Sequence, residues 1–146
     1  MDSCCANSLA SAHFRADFVR DKMELVSRSL IEANVTFLSA EEGGRKHPAE
    51  NGPYYSPHLV VGDPNRRIAI LADDNRTLTD AYLGVRFLGE GGPLKPNQPY
   101  DVRLLLIFYP HPGYNALVSG ATFTIREGPK IVGYGRVTKG VNEAIA

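Results

Sequence analysis

The sequence predicts a small all-β domain, a barrel or sandwich, preceded by one helix. Apolar residues alternate with period two through several short runs. Glycine and proline, 14 and 10 of the 146 residues, punctuate those runs with turn signals. A 3.6-residue apolar stripe occurs in one segment near the N-terminus. A chain of this length fits one domain and buries roughly two-thirds of its unfolded surface.

Residues 1–12 read as a flexible tail, small and polar, holding the only two cysteines, Cys4 and Cys5. Adjacent cysteines bridge poorly, so no disulfide framework is expected and a reducing cytoplasm is. A lipidated or metal-binding tail is the alternative. Residues 13–30 read as a helix. Val19, Met23, Val26 and Leu30 fall at i, i+4, i+7 and i+11, and Phe14, Phe18 and Leu25 widen the stripe. Its charges nearly cancel, which disfavours a basic membrane-surface helix. The helix is expected to pack on the barrel, with partner binding as the sharper alternative.

From Ile31 the period changes to two. Ile31, Ala33, Val35 and Phe37 alternate with Glu32, Asn34 and Thr36, a half-buried strand. A loop follows at 41–46. Pro48, Gly52, Pro53 and Pro57 keep the chain irregular up to a short strand at 58–61. A polar insert spans 62–80, with a small apolar run at 68–72. Residues 82–88 are a further strand, and 89–99 a glycine- and proline-rich connector. Residues 100–109 read as a long strand with Val102, Leu104, Leu106 and Phe108 on one face. Leu105 and Ile107 make the other face apolar too, so that strand needs two covers, the core and the N-terminal helix. Residues 120–138 form the closing hairpin. The barrel is expected over 31–140, and 141–146 as a tail.

Lys+Arg and Asp+Glu both number 16, so no overall field draws the chain onto nucleic acid or an anionic membrane. No secretory h-region and no run of ~18 apolar residues is present, so a cytoplasmic protein with no membrane partner is expected. His13, His47, His58 and His111 are scattered without metal-ligand spacing. Val118-Ser119-Gly120 is not a nucleophile elbow. No phosphate-binding Gly-x-x-x-x-Gly-Lys loop occurs, and Gly89-Glu-Gly-Gly92 runs into prolines rather than a helix. No enzyme activity, cofactor or metal is therefore expected. Tyr54 and Tyr55 sit in a proline-rich loop as core-rim or interface residues.

Three segments, in order, resemble the C-terminal barrel domain of translation elongation factor Tu. They are Glu32-Ala-Asn-Val-Thr-Phe-Leu-Ser-Ala-Glu-Glu-Gly-Gly-Arg45, the long strand from Tyr100 to Pro110, and Gly120 to Thr138 with Ile125-Arg-Glu-Gly128 and Val132-Gly-x-Gly135. The resemblance implies a six-stranded antiparallel β-barrel, here with one added N-terminal helix and no GTPase domain. Two departures matter. Pro129 stands where that family carries a second glycine, so the turn should differ locally. Residues 46–97 match poorly, apart from a strand at 57–61.

In elongation factor Tu this domain contacts the GTPase domain, the exchange factor and tRNA. The resemblance therefore implies a non-enzymatic macromolecule-binding module, docking on a protein and related to translation. The alternative is RNA or tRNA binding. The candidate binding residues are Arg45, Lys46 and His47 on the Gly-Gly-Arg loop, and Arg126, Gly128 and Lys130 on the hairpin. Arg126, Lys130, Arg136 and Lys139 against Glu127 give that hairpin a local positive excess. The bland alternative is that Gly43 and Gly44 serve turn geometry and Arg126 pairs with a nearby carboxylate. Nothing in the sequence sets an oligomeric state.

Overall fold

The computed structural model describes residues 29–69, 80–141 and 143. Eight strands are present: β1 (Leu30–Phe37), β2 (Ala49–Glu50), β3 (His58–Val61), β4 (Leu83–Phe87), β5 (Pro93–Leu94), β6 (Pro99–Leu106), β7 (Thr122–Glu127) and β8 (Lys130–Lys139). Six of them close into a barrel in the order β1-β6-β4-β3-β7-β8, with β8 returning to β1. Every pairing is antiparallel. The two short strands β2 and β5 pair as a separate ribbon. The expected six-stranded antiparallel barrel is thus present.

Period-two patterning fills the core as anticipated. Ile31, Ala33, Val35 and Phe37 of β1 meet Val102, Leu104 and Leu106 of β6, with Leu59, Val85, Phe87, Phe123 and Ile125 from the other staves. Each fully buried side chain of this size contributes about 1.5–3 kcal/mol relative to exposure. Among the described residues, no helix is long and apolar enough to cross a membrane.

Two boundaries differ from the sequence expectation. Leu30 belongs to β1, not to a helix: it pairs with Leu105, and the Ser29 carbonyl accepts the Leu106 N–H at 2.8 Å. Residues 13–28 of the expected helix, like Cys4 and Cys5, lie outside the described residues. The long strand also ends early, at Leu106. Residues 107–110 turn, held by Tyr109 N–H to the Leu106 carbonyl and His111 N–H to the Phe108 carbonyl. Tyr114 fixes this turn by accepting from Phe108 N–H at 3.0 Å and donating to the Gly84 carbonyl at 2.6 Å. Phe108 is therefore 66% exposed instead of inward, its ring lying against Gly84 of β4.

The 62–80 insert opens with Asp63 accepting from Asn65 N–H, and Ile68 is 81% exposed. Residues 70–79 lie outside the described residues. At the closing hairpin, Glu127 faces Lys130 across Gly128 and Pro129. Gly128 takes φ +60°. A positive φ followed by a proline near −65° has the sign pattern of a type II′ turn, which suits the strand twist.

Candidate functional site

The Gly-Gly-Arg loop is built by local chemistry. Ser39 caps a single 3-10 turn, Ala40–Glu42, in a reciprocal capping box. Its hydroxyl accepts from Glu42 N–H at 3.2 Å, and its own N–H donates to Glu42 Oε1 at 3.0 Å. The Ser39 hydroxyl also donates to Glu42 Oε1 at 2.9 Å, and these two bonds to the carboxyl, the backbone N–H foremost, hold it below its usual range. Gly43 ends the turn at φ +97°. Gly44 passes so close to Leu38 that a Cβ would lie 2.2 Å from its carbonyl oxygen. Both glycines are thus required by geometry.

Arg45 leaves this turn and joins two other loops. Its Nε donates to the His47 carbonyl at 3.0 Å, and its Nη1 pairs with Glu127 Oε2 at the hairpin tip. The Tyr55 hydroxyl donates to the same Glu127 oxygen at 2.6 Å. The Arg45 guanidinium also lies 5.3 Å from the Tyr55 ring centroid. Tyr55 in turn packs against Phe87 and Phe37, ring centroids 5.1 and 6.1 Å away. Burial pushes the Tyr55 phenol far above its ordinary range, and the bond to Glu127 adds to the shift. Burial works against the Arg45 charge, but the Glu127 hydrogen bond and charge outweigh it, so its pKa is raised.

Beside this clamp lies a cleft of about 220 Å3, lined by Phe37, Leu38, Ala40, Arg45, Lys46, Pro48, Ala49, Leu94 and Pro96. One wall is the Gly-Gly-Arg loop and the other the connector after β5. Asn97 N–H donates to the Phe37 carbonyl at 2.8 Å, which ties that connector to the end of β1. The lining carries two cations and no carboxylate. Lys46 and His47 are exposed. On the other side of Gly43 a groove of about 260 Å3 is lined by Glu42, Gly43, Arg67, Ile68, Ala69, Pro129, Lys130 and Ile131.

Five of the six candidates, Arg45, Lys46, His47, Gly128 and Lys130, therefore gather at one end of the barrel, joined through Glu127. Arg126 does not. It is fully shielded from solvent, donating from Nε to Thr124 Oγ1 at 2.8 Å and from Nη1 to Asp80 Oδ2 at 3.0 Å and the Tyr82 hydroxyl at 3.2 Å. Thr124 and Arg126 alternate with the core residues Phe123 and Ile125 and so point outward. Asp80 and Tyr82 lie against the Arg126 guanidinium, whose carbon is 5.5 Å from the Tyr82 ring centroid. Asp80 also pairs with Arg66 at 2.7 Å, so one carboxylate gathers both ends of the insert onto Arg126. Arg126 thus has the carboxylate partner that the bland alternative gave it, and it is shielded from solvent.

Sequence reasoning missed Asp80 as the partner of Arg126, and Leu94 and Pro96 as a wall of the cleft. Leu94 carried a signal, an apolar residue isolated among glycines and prolines. Asp80 carried none, because its partner is 46 residues away. Among the described residues, no group of three or more His, Cys, Asp or Glu side chains is placed to hold a metal ion. Comparison with protein-family models finds no match, and neither does comparison with curated proteins.

Proposed function

We propose that this chain is a non-enzymatic barrel module that docks on a protein partner through the end formed by the Gly-Gly-Arg loop and the hairpin tip. The observation that carries this reading is the apolar cleft rimmed by Arg45 and Lys46, held in shape by the Arg45–Glu127–Tyr55 clamp. A rigid apolar slot with a polar rim is how small interfaces anchor a partner. The resemblance to the elongation factor Tu barrel, which docks on other translation components, supports a translation-related, cytoplasmic partner.

RNA binding is the weaker reading. It retains Lys46 and Lys130 but loses Arg126, and phosphate affinity needs several clustered cations. The discriminating experiment is affinity capture from cell lysate with wild type and Lys46→Glu side by side, with and without nuclease. The docking reading expects proteins retained through nuclease and lost from Lys46→Glu. Partners lost with nuclease move the function to RNA, and capture indifferent to Lys46→Glu removes this surface from consideration.

A further inference from the structure

We propose that the cleft beside the Gly-Gly-Arg loop binds a short acidic–apolar peptide segment, seating one large apolar side chain and pairing a neighbouring carboxylate with Arg45 and Lys46. This rests on the docking reading and adds the chemistry of the partner to it.

Size argues first. About 220 Å3 is below the roughly 300–1,000 Å3 of small-molecule and cofactor sites, and suits a side chain rather than a cofactor. The walls argue second. Phe37, Leu38, Ala49 and Leu94 form a buried apolar floor, with Pro48 and Pro96 exposed at the rim. Prolines at the rim are already rigid, so little freedom is lost when a ligand orders them.

Charge argues third. Arg45 spends Nε on the His47 carbonyl and Nη1 on Glu127, and its side chain stays 31% exposed. Lys46 is exposed and makes no ion pair among the described residues. Two donors of one sign beside an apolar floor ask for an anion attached to an apolar group. A guanidinium fixed by Glu127 and stacked on Tyr55 is also pre-oriented for a carboxylate.

The test is selection of phage-displayed random peptides on the full chain, followed by fluorescence polarisation with the consensus peptide on wild type, Lys46→Glu and Ala40→Phe. Ala40 is exposed and lines the cleft, so phenylalanine there fills the slot without touching the core. Thermal unfolding checks that both variants remain folded.

The expected consensus has one large aliphatic or aromatic residue next to Asp or Glu. Its affinity should fall about tenfold or more in Lys46→Glu and be lost in Ala40→Phe. A consensus without acidic residues, affinity indifferent to both variants, or no enrichment would overturn the proposal. So would tighter, Lys46-dependent binding of a random-sequence RNA 12-mer. The two readings fail separately: lysate partners that depend on Lys46, with no acidic consensus, sink the peptide chemistry and leave docking standing.

Discussion

Removing a guanidinium from solvent is costly unless it sits beside a carboxylate or a dense set of acceptors. Arg126 meets that condition with Asp80, Thr124 and Tyr82. Asp80 keeps Arg66 when Arg126 is lost, so Arg126→Met removes hydrogen bonds without stranding a charge and should lower stability in urea unfolding by about 1–3 kcal/mol. Lys46→Ala, on the exposed rim, should stay within about 0.5 kcal/mol. A near-neutral Arg126→Met would mean that the pair contributes nothing net. The tyrosines give a second prediction. Tyr55 and Tyr114 are both raised above the ordinary phenol value of 10.0, each mainly by burial. A raised folded-state pKa means stability fully present below the unfolded-state value and lost as pH climbs beyond it. Urea midpoints should therefore hold up to about pH 10 and then fall. Tyr55→Phe should lower the neutral-pH midpoint, through the lost bond to Glu127, and flatten the alkaline slope. An unchanged slope would show that Tyr55 ionises freely in the folded chain.

At the scale of elements, the loop that builds the candidate site depends on two glycines for different reasons. Gly43 needs a left-handed backbone, and Gly44 needs the missing side chain. Gly44→Ala would push a methyl group into the Leu38 carbonyl, which cannot move without disturbing the bond from Leu38 N–H to the Val132 carbonyl. We expect a loss of about 1–3 kcal/mol by calorimetry, with weaker docking because Arg45 shifts off Glu127. An alanine variant with wild-type stability and affinity would show that the loop relaxes without moving Arg45. β1 and β7 were legible because period-two alternation is local, and β3, β4 and β8 as short apolar runs set between turn residues. The end of β6 was not. Phe108 continues the alternation in sequence, and a bond from its N–H to a tyrosine six residues on turns it outward. Likewise the Gly-Gly-Arg loop and the hairpin tip were legible as candidates, whereas their union through Glu127 spans 82 residues and has no local trace.

At the scale of the whole molecule, the described residues form a closed barrel, which bears on where the docking reading can place a partner. The barrel sheet has no unpaired edge to extend by strand addition, which leaves the loops at its ends, the β2–β5 ribbon among them, and the outer face. With 16 charges of each sign, no long-range field would steer a partner, so the docking reading relies on short-range fit. The outer face offers one further apolar area where β1 begins. Leu30 pairs with Leu105, and the half-buried Leu105 and Ile107 lead to the exposed Phe108. The sequence expectation sets the apolar stripe of Phe14, Phe18, Val19, Met23 and Val26 on Leu105 and Ile107, and a chain beginning at Ser29 tests it. The barrel ladders start at Leu30 and the Ser29 carbonyl, so this shortened chain should still unfold cooperatively. Sedimentation should show it associating, since an uncovered apolar strip favours self-contact. A shortened chain that stays monomeric with an unchanged unfolding midpoint would assign the stripe to a partner or to an oligomer. Loss of cooperative unfolding would show that residues 1–28 are required for the barrel itself.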